Sequence, residues 1–189
     1  MLTFRRVRAD DAPQLAAIQN YYIEHSTASF YYEPLDAAFF VGKIDAIAPH
    51  HPFLVCELDG VIAGFAYASP IHPQQAYRWS VELTIYLAPD KLHSGIGSAL
   101  YSRLLALLRH LGYLNVYACI TAENEASIRF HERFGFRQVG HFPQAGLKND
   151  RWLDIVWLAM PLVTPLPAVP ASPVPFGSVP DDALAALLQ

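Results

Sequence analysis

The stretch that decides the fold runs from Ser80 to Gly112. It reads SVELTIYL (80–87), APDKLHSGIG (88–97) and SALYSRLLALLRHLG (98–112). Apolar residues alternate with other residues over the first eight positions, which predicts a β-strand. Leucines then recur at helical spacing up to Gly112, which predicts a helix that ends at that glycine. Gly95 and Gly97 lie between the two elements.

The two glycines indicate an anion-binding turn. Without a Cβ the backbone can approach a ligand closely, and the free N–H groups of the first helical turn favour phosphate oxygens. Lys91 and His93 beside the turn favour this interpretation over that of a tight turn alone. No Gly-Lys-Ser/Thr follows the turn, which excludes the nucleoside-triphosphate loop.

Composition places narrow bounds on the protein class. The 189 residues are 53% hydrophobic and 16% charged, with a formal charge of −4, so one globular domain is expected and a general nucleic-acid surface is not. Cys56 and Cys119 lie in strand-like runs and are expected to be buried free thiols. No metal-ligand spacing, signal-peptide pattern or membrane-length apolar run occurs, so we expect a cytoplasmic protein without a metal.

Strand and helix patterns alternate along the chain and include hairpins, which predicts an α/β (α+β) mixed sheet with helices on both faces. Asp11 is expected to cap the first helix with Gln14 reaching back to it, and Asp59-Gly60 to turn a hairpin. The other expected elements are strands at 2–7, 116–121, 136–142 and 152–160, helices at 36–47 and 124–135, and a polar loop at 144–151.

The C-terminal part of the chain has a different texture. Seven of the fifteen prolines fall between Pro161 and Pro180. Proline is excluded from helix interiors and central strands, so we expect an extended tail outside the core. A short amphipathic helix over 182–188 is the one regular element expected there. The division is therefore a domain over 1–160 and a proline-rich tail over 161–189.

Glu82 is the strongest candidate for a catalytic residue. It lies in the middle of the central strand, opposite the aliphatic face and close to the glycine turn. Amide formation from an amine and a thioester needs a base, and partial burial raises a carboxyl pKa toward a useful range. The alternative is a solvent-facing glutamate in a salt bridge. Backbone N–H groups of Ile85, Tyr86 and Leu87 could polarise a thioester carbonyl.

A strand, a Gln/Arg-x-x-Gly-x-Gly/Ala turn and a helix together resemble the acetyl-CoA signature of the GNAT N-acetyltransferases, a mostly antiparallel mixed-sheet fold. Leu92 stands where that family has Arg or Gln. The resemblance implies acetyl-CoA as co-substrate, with Asn124 at the pantetheine arm or acting only as a helix cap. It also implies that His131, in place of the family's tyrosine, protonates the thiolate; a packed histidine is the alternative. The implied residues at the turn are His93, Ser94, Gly95, Ile96, Gly97 and Ser98.

Four separated segments narrow the resemblance to the phosphinothricin and methionine sulfoximine N-acetyltransferase branch: 20–30, 76–82, 124–132 and 148–154. This implies acetyl transfer to the α-amine of a small amino acid, in a homodimer. Arg78 is then expected to clamp a carboxylate or phosphinate, with Lys148 and Arg151 as weaker candidates. The aromatic residues expected around the substrate are Phe30, Tyr77 and Trp79, with core packing as their alternative role.

Two other functions remain open at this point. One is a GNAT enzyme that acts on a polyamine, an antibiotic or a peptide amine, against which Arg78 argues because it would repel a cation. The other is a CoA-binding domain without turnover, which the departure at Leu92 allows and Glu82 disfavours.

Overall fold

The computed structural model describes all 189 residues of the chain. It confirms a mixed α/β fold built on one seven-stranded sheet. The elements, in chain order, are β1 (Leu2–Arg6), α1 (Ala12–His25), α2 (Ala37–Ile47), β2 (Phe53–Leu58), β3 (Val61–Pro70), β4 (Ser80–Leu87), α3 (Ile96–His110), β5 (Asn115–Thr121), α4 (Glu125–Arg133), β6 (Arg137–Lys148), β7 (Arg151–Pro161) and α5 (Asp181–Leu187).

The strand order is β1-β2-β3-β4-β5-β7-β6, and every neighbouring pair is antiparallel except β4 with β5. Alternation along β4 sends its side chains to two cores. Val81 and Leu83 pack with the leucines of α3, while Tyr86 packs with the cluster that α1 and α2 form over β2 and β3. Glu82 and Thr84 therefore share the face of α1 and α2.

The parallel pair β4–β5 separates soon after it begins. The two strands are in register only from Ser80 opposite Asn115 to Glu82 opposite Tyr117. Beyond Glu82 the facing backbone edges of β4 and β5 have no partner strand, and such edges are sites where another chain or ligand can pair. This opening positions the site described below.

The predicted hairpin turn is confirmed. Asp59 and Gly60 both adopt positive φ, 52° and 85°, as a two-residue turn of this type requires. The predicted cap of α1 is wrong in detail. Asp11 accepts both terminal guanidinium nitrogens of Arg5 at 2.8 Å, and Gln14 accepts the Ile62 N–H instead of reaching back. Asp11 also accepts the Arg8 N–H at 2.7 Å, so its carboxylate binds residues that precede the helix and not the N–H groups of α1.

Two other expectations are corrected. The segment over 144–151 is not a loop: β6 continues to Lys148, and only Asn149 and Asp150, both at positive φ, form the turn. Cys119 is exposed, while Cys56 is buried as expected, and both are free thiols. No helix of the protein has the length and apolar character needed to cross a membrane.

The proline-rich segment does not lie outside the core. Phe176 is fully buried, and Leu162, Val179, Leu184 and Leu188 join the main core cluster. Arg6 donates to the carbonyls of Phe176 and Val179, at 3.1 and 2.9 Å. Some of the apolar residues between the prolines are therefore buried in the core, while others such as Leu166 and Val169 are exposed, and the proline count does not reveal this difference. The expected terminal helix is present as α5.

Candidate active site

A cavity of about 570 Å³ lies along the opening between β4 and β5. It runs from the glycine turn at the start of α3 to the α2 side of the sheet. Most of the site residues predicted from the sequence line it together. These are Phe30, Glu82, Ile85, Tyr86, Leu87, His93, Gly95, Gly97, Ser98, Asn124 and His131.

The glycine turn forms one end of the cavity. Gly95 precedes α3 at φ 82°, a conformation that side chains disfavour. At Gly97 the constraint is space, since a Cβ would lie 2.9 Å from Cδ1 of Leu87. The Ile96 N–H donates to the Ser94 hydroxyl at 3.4 Å, and the N–H groups that follow it in the first turn of α3 have no helical partners, so they are available to an anion. Ser94 and Ile96 do not line the cavity; the Ser94 hydroxyl donates to the Lys91 carbonyl at 2.6 Å and buttresses the turn.

Glu82 lies at the other end, on β4 at the point where β5 departs. Its carboxylate is half-buried and belongs to none of the protein's nine ion pairs. Burial raises the pKa of Glu82, and the positive charge of Lys43 partly opposes this. The salt-bridged alternative is therefore excluded. A carboxylate of raised pKa that is not held by a cation is suited to accept a proton.

Lys43 enters the same cavity from α2. Its Nζ donates to the Tyr67 hydroxyl at 2.8 Å and lies 4.7 Å from the centre of the Tyr67 ring. Tyr67 is on β3, next to β4, so the lysine and tyrosine face Glu82 from the α2 side. The opposite charges of Lys43 and Glu82 form a polar patch in a cavity otherwise walled largely by aromatic and aliphatic side chains.

His131 lines the cavity from α4 and is only 3% exposed. Its Nδ1 lies 2.8 Å from the Ser127 carbonyl, and Nε2 has no partner. A carbonyl only accepts, so the proton is on Nδ1 and Nε2 carries a lone pair. Burial lowers the pKa of His131, against the opposing effect of the Ser127 hydrogen bond. The predicted proton donor is thus a neutral imidazole whose N–H is already engaged.

Asn124 is a helix cap, the alternative role considered for it, and it also lines the cavity. Its side chain accepts the Ser127 N–H at 3.1 Å as the cap of α4. Phe30 closes the cavity from the segment after α1. Its ring lies over Gly146 of β6, where a Cβ would meet Cδ2 of Phe30 at 2.7 Å. Because Gly146 has no side chain, the ring of Phe30 can occupy that space.

Arg78 and Tyr77 are not brought to this cavity. They line a second one of about 450 Å³, together with His72 and residues of the C-terminal segment. Arg78 donates to the Gln75 carbonyl at 2.9 Å and to the Ser172 hydroxyl at 3.2 Å. Trp79 lines neither cavity, and its indole donates to the Ala171 carbonyl at 2.7 Å. The C-terminal segment therefore holds the side chains of Arg78 and Trp79. The local sequence pattern did not reveal that this segment packs there.

The two weaker candidates, Lys148 and Arg151, also lie outside the cavity. Lys148 is 3% exposed and donates to main-chain carbonyls of Ile23 and Ser29. Arg151 pairs with Glu123. Both therefore support the segment that carries Phe30 instead of offering charge to a ligand.

Sequence reasoning missed other lining residues, among them Tyr22, Lys43, Tyr67 and Arg133. One signal was available for Lys43, since a lysine occupies the apolar stripe of α2 between Phe40 and Ile44. A charged residue in such a stripe indicates either a snorkelling side chain or a polar cavity. The structure shows the cavity. No group of three or more His, Cys, Asp or Glu side chains is arranged to hold a metal ion.

Comparisons with known proteins agree with this geometry. The family described as "Acetyltransferase (GNAT) domain" matches residues 4–157. Phosphinothricin N-acetyltransferase of Streptomyces viridochromogenes is 35% identical over 170 residues, which cover 90% of this chain and 93% of the relative. The L-methionine sulfoximine/L-methionine sulfone acetyltransferase of Pseudomonas paraeruginosa is 33% identical and covers 80% of this chain and 90% of the relative.

A crystal structure of a GNAT superfamily phosphinothricin acetyltransferase from Sinorhizobium meliloti, in complex with AcCoA, is similar with a TM-score of 0.81. The two chains are 31% identical, with 85% of this chain and 88% of the other covered. The chain therefore belongs to the GNAT acetyltransferase family, in the branch that the sequence motifs indicated, and it is an acetyltransferase.

Proposed function

We propose that the chain transfers the acetyl group of acetyl-CoA to the α-amine of a small amino acid such as phosphinothricin, methionine sulfoximine or methionine sulfone. The observation that carries the proposal is one cavity with two different ends. A half-buried carboxylate without a cation, Glu82, stands at one end, and the N-terminus of α3 behind Gly95 and Gly97 stands at the other.

The residues present fit acetyl-CoA. The first turn of α3 supplies N–H groups for pyrophosphate oxygens, and the left-handed backbone of His93 and Gly95 bends the chain around that position. The separated edges of β4 and β5 offer backbone groups to an extended pantetheine arm. Arg133 adds a positive charge, and its neighbour Phe130 lies beside Gly97 at this end of the cavity. Leu92, which stands where the family has Arg or Gln, is 43% exposed and adds no charge.

In the proposed mechanism Glu82 takes the proton of the acceptor ammonium, directly or through a water. The freed amine then attacks the thioester carbonyl carbon, so that the C–N bond forms and the C–S bond breaks. The second proton that the attacking nitrogen loses passes, directly or through a water, to the departing CoA thiolate. Backbone N–H groups of Ile85 to Leu87 stabilise the negative charge that develops on the carbonyl oxygen. His131 is neutral, so it contributes an acceptor at Nε2, and thiolate departure takes no proton from it in its resting state.

Thiol release from acetyl-CoA tests the proposal with phosphinothricin, methionine sulfoximine, methionine sulfone, glutamate, spermidine and a peptide amine. Turnover confined to the first three supports it, and a bacterium sensitive to phosphinothricin should then become resistant on expressing the chain. Turnover confined to spermidine or the peptide would discard the substrate class and keep the family. Acetyl-CoA binding without turnover of any acceptor would favour a binding domain.

We also propose a homodimer. Large apolar side chains on the β6–β7 hairpin are exposed: Val139 by 63%, Phe142 by 51% and Trp152 by 61%. Exposed apolar groups concentrated on one hairpin are typical of a protein interface. Light scattering after gel filtration tests this: twice the chain mass supports a dimer, and Trp152→Lys should then shift the mass toward one chain. A monomer at micromolar concentration would contradict it.

A further inference from the structure

Lys43 places an ammonium group inside the cavity without a direct ion-pair partner. It belongs to none of the nine ion pairs. It is held instead by the Tyr67 hydroxyl at 2.8 Å and by two aromatic rings, with Nζ 4.7 Å from the centre of Tyr67 and 5.4 Å from that of Phe39. Such partners position a cation and leave its charge available.

The charged side chains that line the cavity are few and lie apart. Arg133 sits by Phe130, which is close to Gly97 and thus to the glycine turn. Glu82 and Lys43 are at the opposite end, and their charges act on one another. Arg78, the side chain expected to hold a substrate anion, lines the second cavity. Lys43 is therefore the one lysine or arginine at the Glu82 end.

We propose that Lys43 binds the α-carboxylate of the acceptor amino acid and so turns its α-amine toward Glu82. This rests on the proposed function and adds the residue that selects for an amino acid. An α-amino acid carries its ammonium and carboxylate on one carbon. Glu82 and Lys43 face the same space and match that pair of charges, because the carboxylate of Glu82 meets the ammonium and the ammonium of Lys43 meets the carboxylate.

The charge pattern also decides which amines are refused. A polyamine or a decarboxylated amine brings no anion, so its binding would leave Lys43 desolvated without compensation. A second ammonium placed near Lys43 would be repelled. Selectivity for amino acids over plain amines then comes from one side chain on α2, and Glu82 acts on either kind of amine alike.

The experiment compares methionine sulfone with its decarboxylated analogue, 3-(methylsulfonyl)propylamine, by thiol release. Lys43→Met should lower kcat/KM for methionine sulfone by about 10- to 100-fold, mainly through KM, because hydrogen bonds to charged groups contribute on that scale. The value for the amine analogue should rise, because its binding no longer desolvates an uncompensated ammonium. The KM of acetyl-CoA should stay within about twofold, a range in which a charge-assisted bond is not involved. Lys43→Arg should restore most of the loss.

Two further variants separate this role from a structural one. Tyr67→Phe keeps the ammonium and should retain the preference for the amino acid. Arg78→Met removes the cation of the second cavity and should not change that preference. If Arg78→Met abolishes it while Lys43→Met does not, the carboxylate lies in the second cavity and the proposal is overturned. An equal loss on both substrates in Lys43→Met, with unchanged melting temperature, would also overturn it.

The activity of the wild-type enzyme separates a failure of the proposed function from a failure of the role proposed for Lys43. If it acetylates no amino acid, the proposed function fails and the role of Lys43 fails with it. If it acetylates methionine sulfone and Lys43→Met does so equally well, the proposed function stands and only the assignment of Lys43 falls.

Discussion

The ammonium of Lys148, at the end of β6, donates to the carbonyl of Ile23 in the last turn of α1, at 2.8 Å. It also donates to the carbonyl of Ser29, so one buried cation joins the hairpin to both ends of the segment over 23–29. Neighbouring bonds act in the same way: the Tyr86 hydroxyl donates to the Ala28 carbonyl at 3.1 Å and that of Thr121 to the Thr27 carbonyl at 2.6 Å. The strands β4, β5 and β6 thus hold the segment that carries Phe30 and forms one wall of the active-site cavity.

Lys148→Met tests this arrangement. The variant leaves two carbonyls without their donor, and an unpaired buried polar group costs about 1–3 kcal/mol of unfolding free energy. We expect a lower melting temperature and a higher KM for the acceptor, with the KM of acetyl-CoA unchanged. Arg129→Met, on the exposed surface of α4, is the control and should change neither KM. A rise in the KM of acetyl-CoA alone would contradict the assignment of Lys148 to the acceptor wall.

Gly146→Ala should displace the ring of Phe30, because the added methyl would meet that ring and cannot be accommodated without movement. We expect acceptor KM to rise by up to about 100-fold, because a misplacement of about 1 Å in a site can cost that much. Gly42→Ala is the matched control. No atom lies within 4 Å of a Cβ at Gly42, in α2, so it should stabilise the protein by about 0.5–1 kcal/mol. An unchanged acceptor KM in Gly146→Ala would show that Phe30 does not contact the substrate.

Glu82→Gln should lower kcat and raise stability at neutral pH. Burial raises the pKa of Glu82 in the folded state, so its ionised form is less stable there than in the unfolded chain. Stability therefore falls as pH rises from the unfolded-state pKa through the raised folded-state one. The glutamine variant avoids that loss above the window, and the difference vanishes below it, where the wild-type carboxyl is protonated in both states.

Thermal melting of both proteins between pH 4 and 8 measures this difference, and thiol release measures kcat. The acid limb of the wild-type kcat/KM profile should lie above the ordinary glutamate pKa, because the base must lose its proton before it can act. A Glu82→Gln enzyme that keeps wild-type kcat would remove Glu82 from the mechanism.

The difference between what the sequence predicted and what it missed follows from the range of the interactions. The strand, turn and helix over 80–110 depend on local periodicity and on glycines, so both the elements and the cavity end at Gly95 were predictable. Arg78 is held by Gln75 nearby and by Ser172, ninety-four residues away, and no local pattern encodes the second contact. Lys43 lies at helical spacing among the apolar residues of α2, and that spacing predicts the helix without showing that the lysine faces a cavity.

Cys119, on β5, lines the cavity, so the reactivity of its thiol can show whether the cavity is occupied. It is the exposed thiol, but desolvation and the negative charge of Glu82 raise its pKa to about 11. Alkylation by iodoacetamide at pH 7.5 should therefore be slow and still increase at pH 10, since only the thiolate reacts. Glu82→Gln should speed the reaction, and methionine sulfone together with CoA should protect the thiol. Cys119→Ser should abolish labelling, because Cys56 is buried. Equal labelling rates with and without ligands would place the acceptor elsewhere.

The C-terminal segment belongs to the folded unit, and Phe176 tests this most directly. Its ring is fully buried beneath the Arg6 guanidinium, whose carbon lies 4.0 Å from the ring centre. Truncating a buried phenylalanine removes its apolar contacts and leaves a cavity, so Phe176→Ala should destabilise the protein by about 3–5 kcal/mol in urea unfolding. Val169→Ala, at a side chain that is 91% exposed in the same segment, should stay within about 0.5 kcal/mol of wild type. Equal stability of the two variants would show that the segment is a tail outside the core, as its prolines predicted.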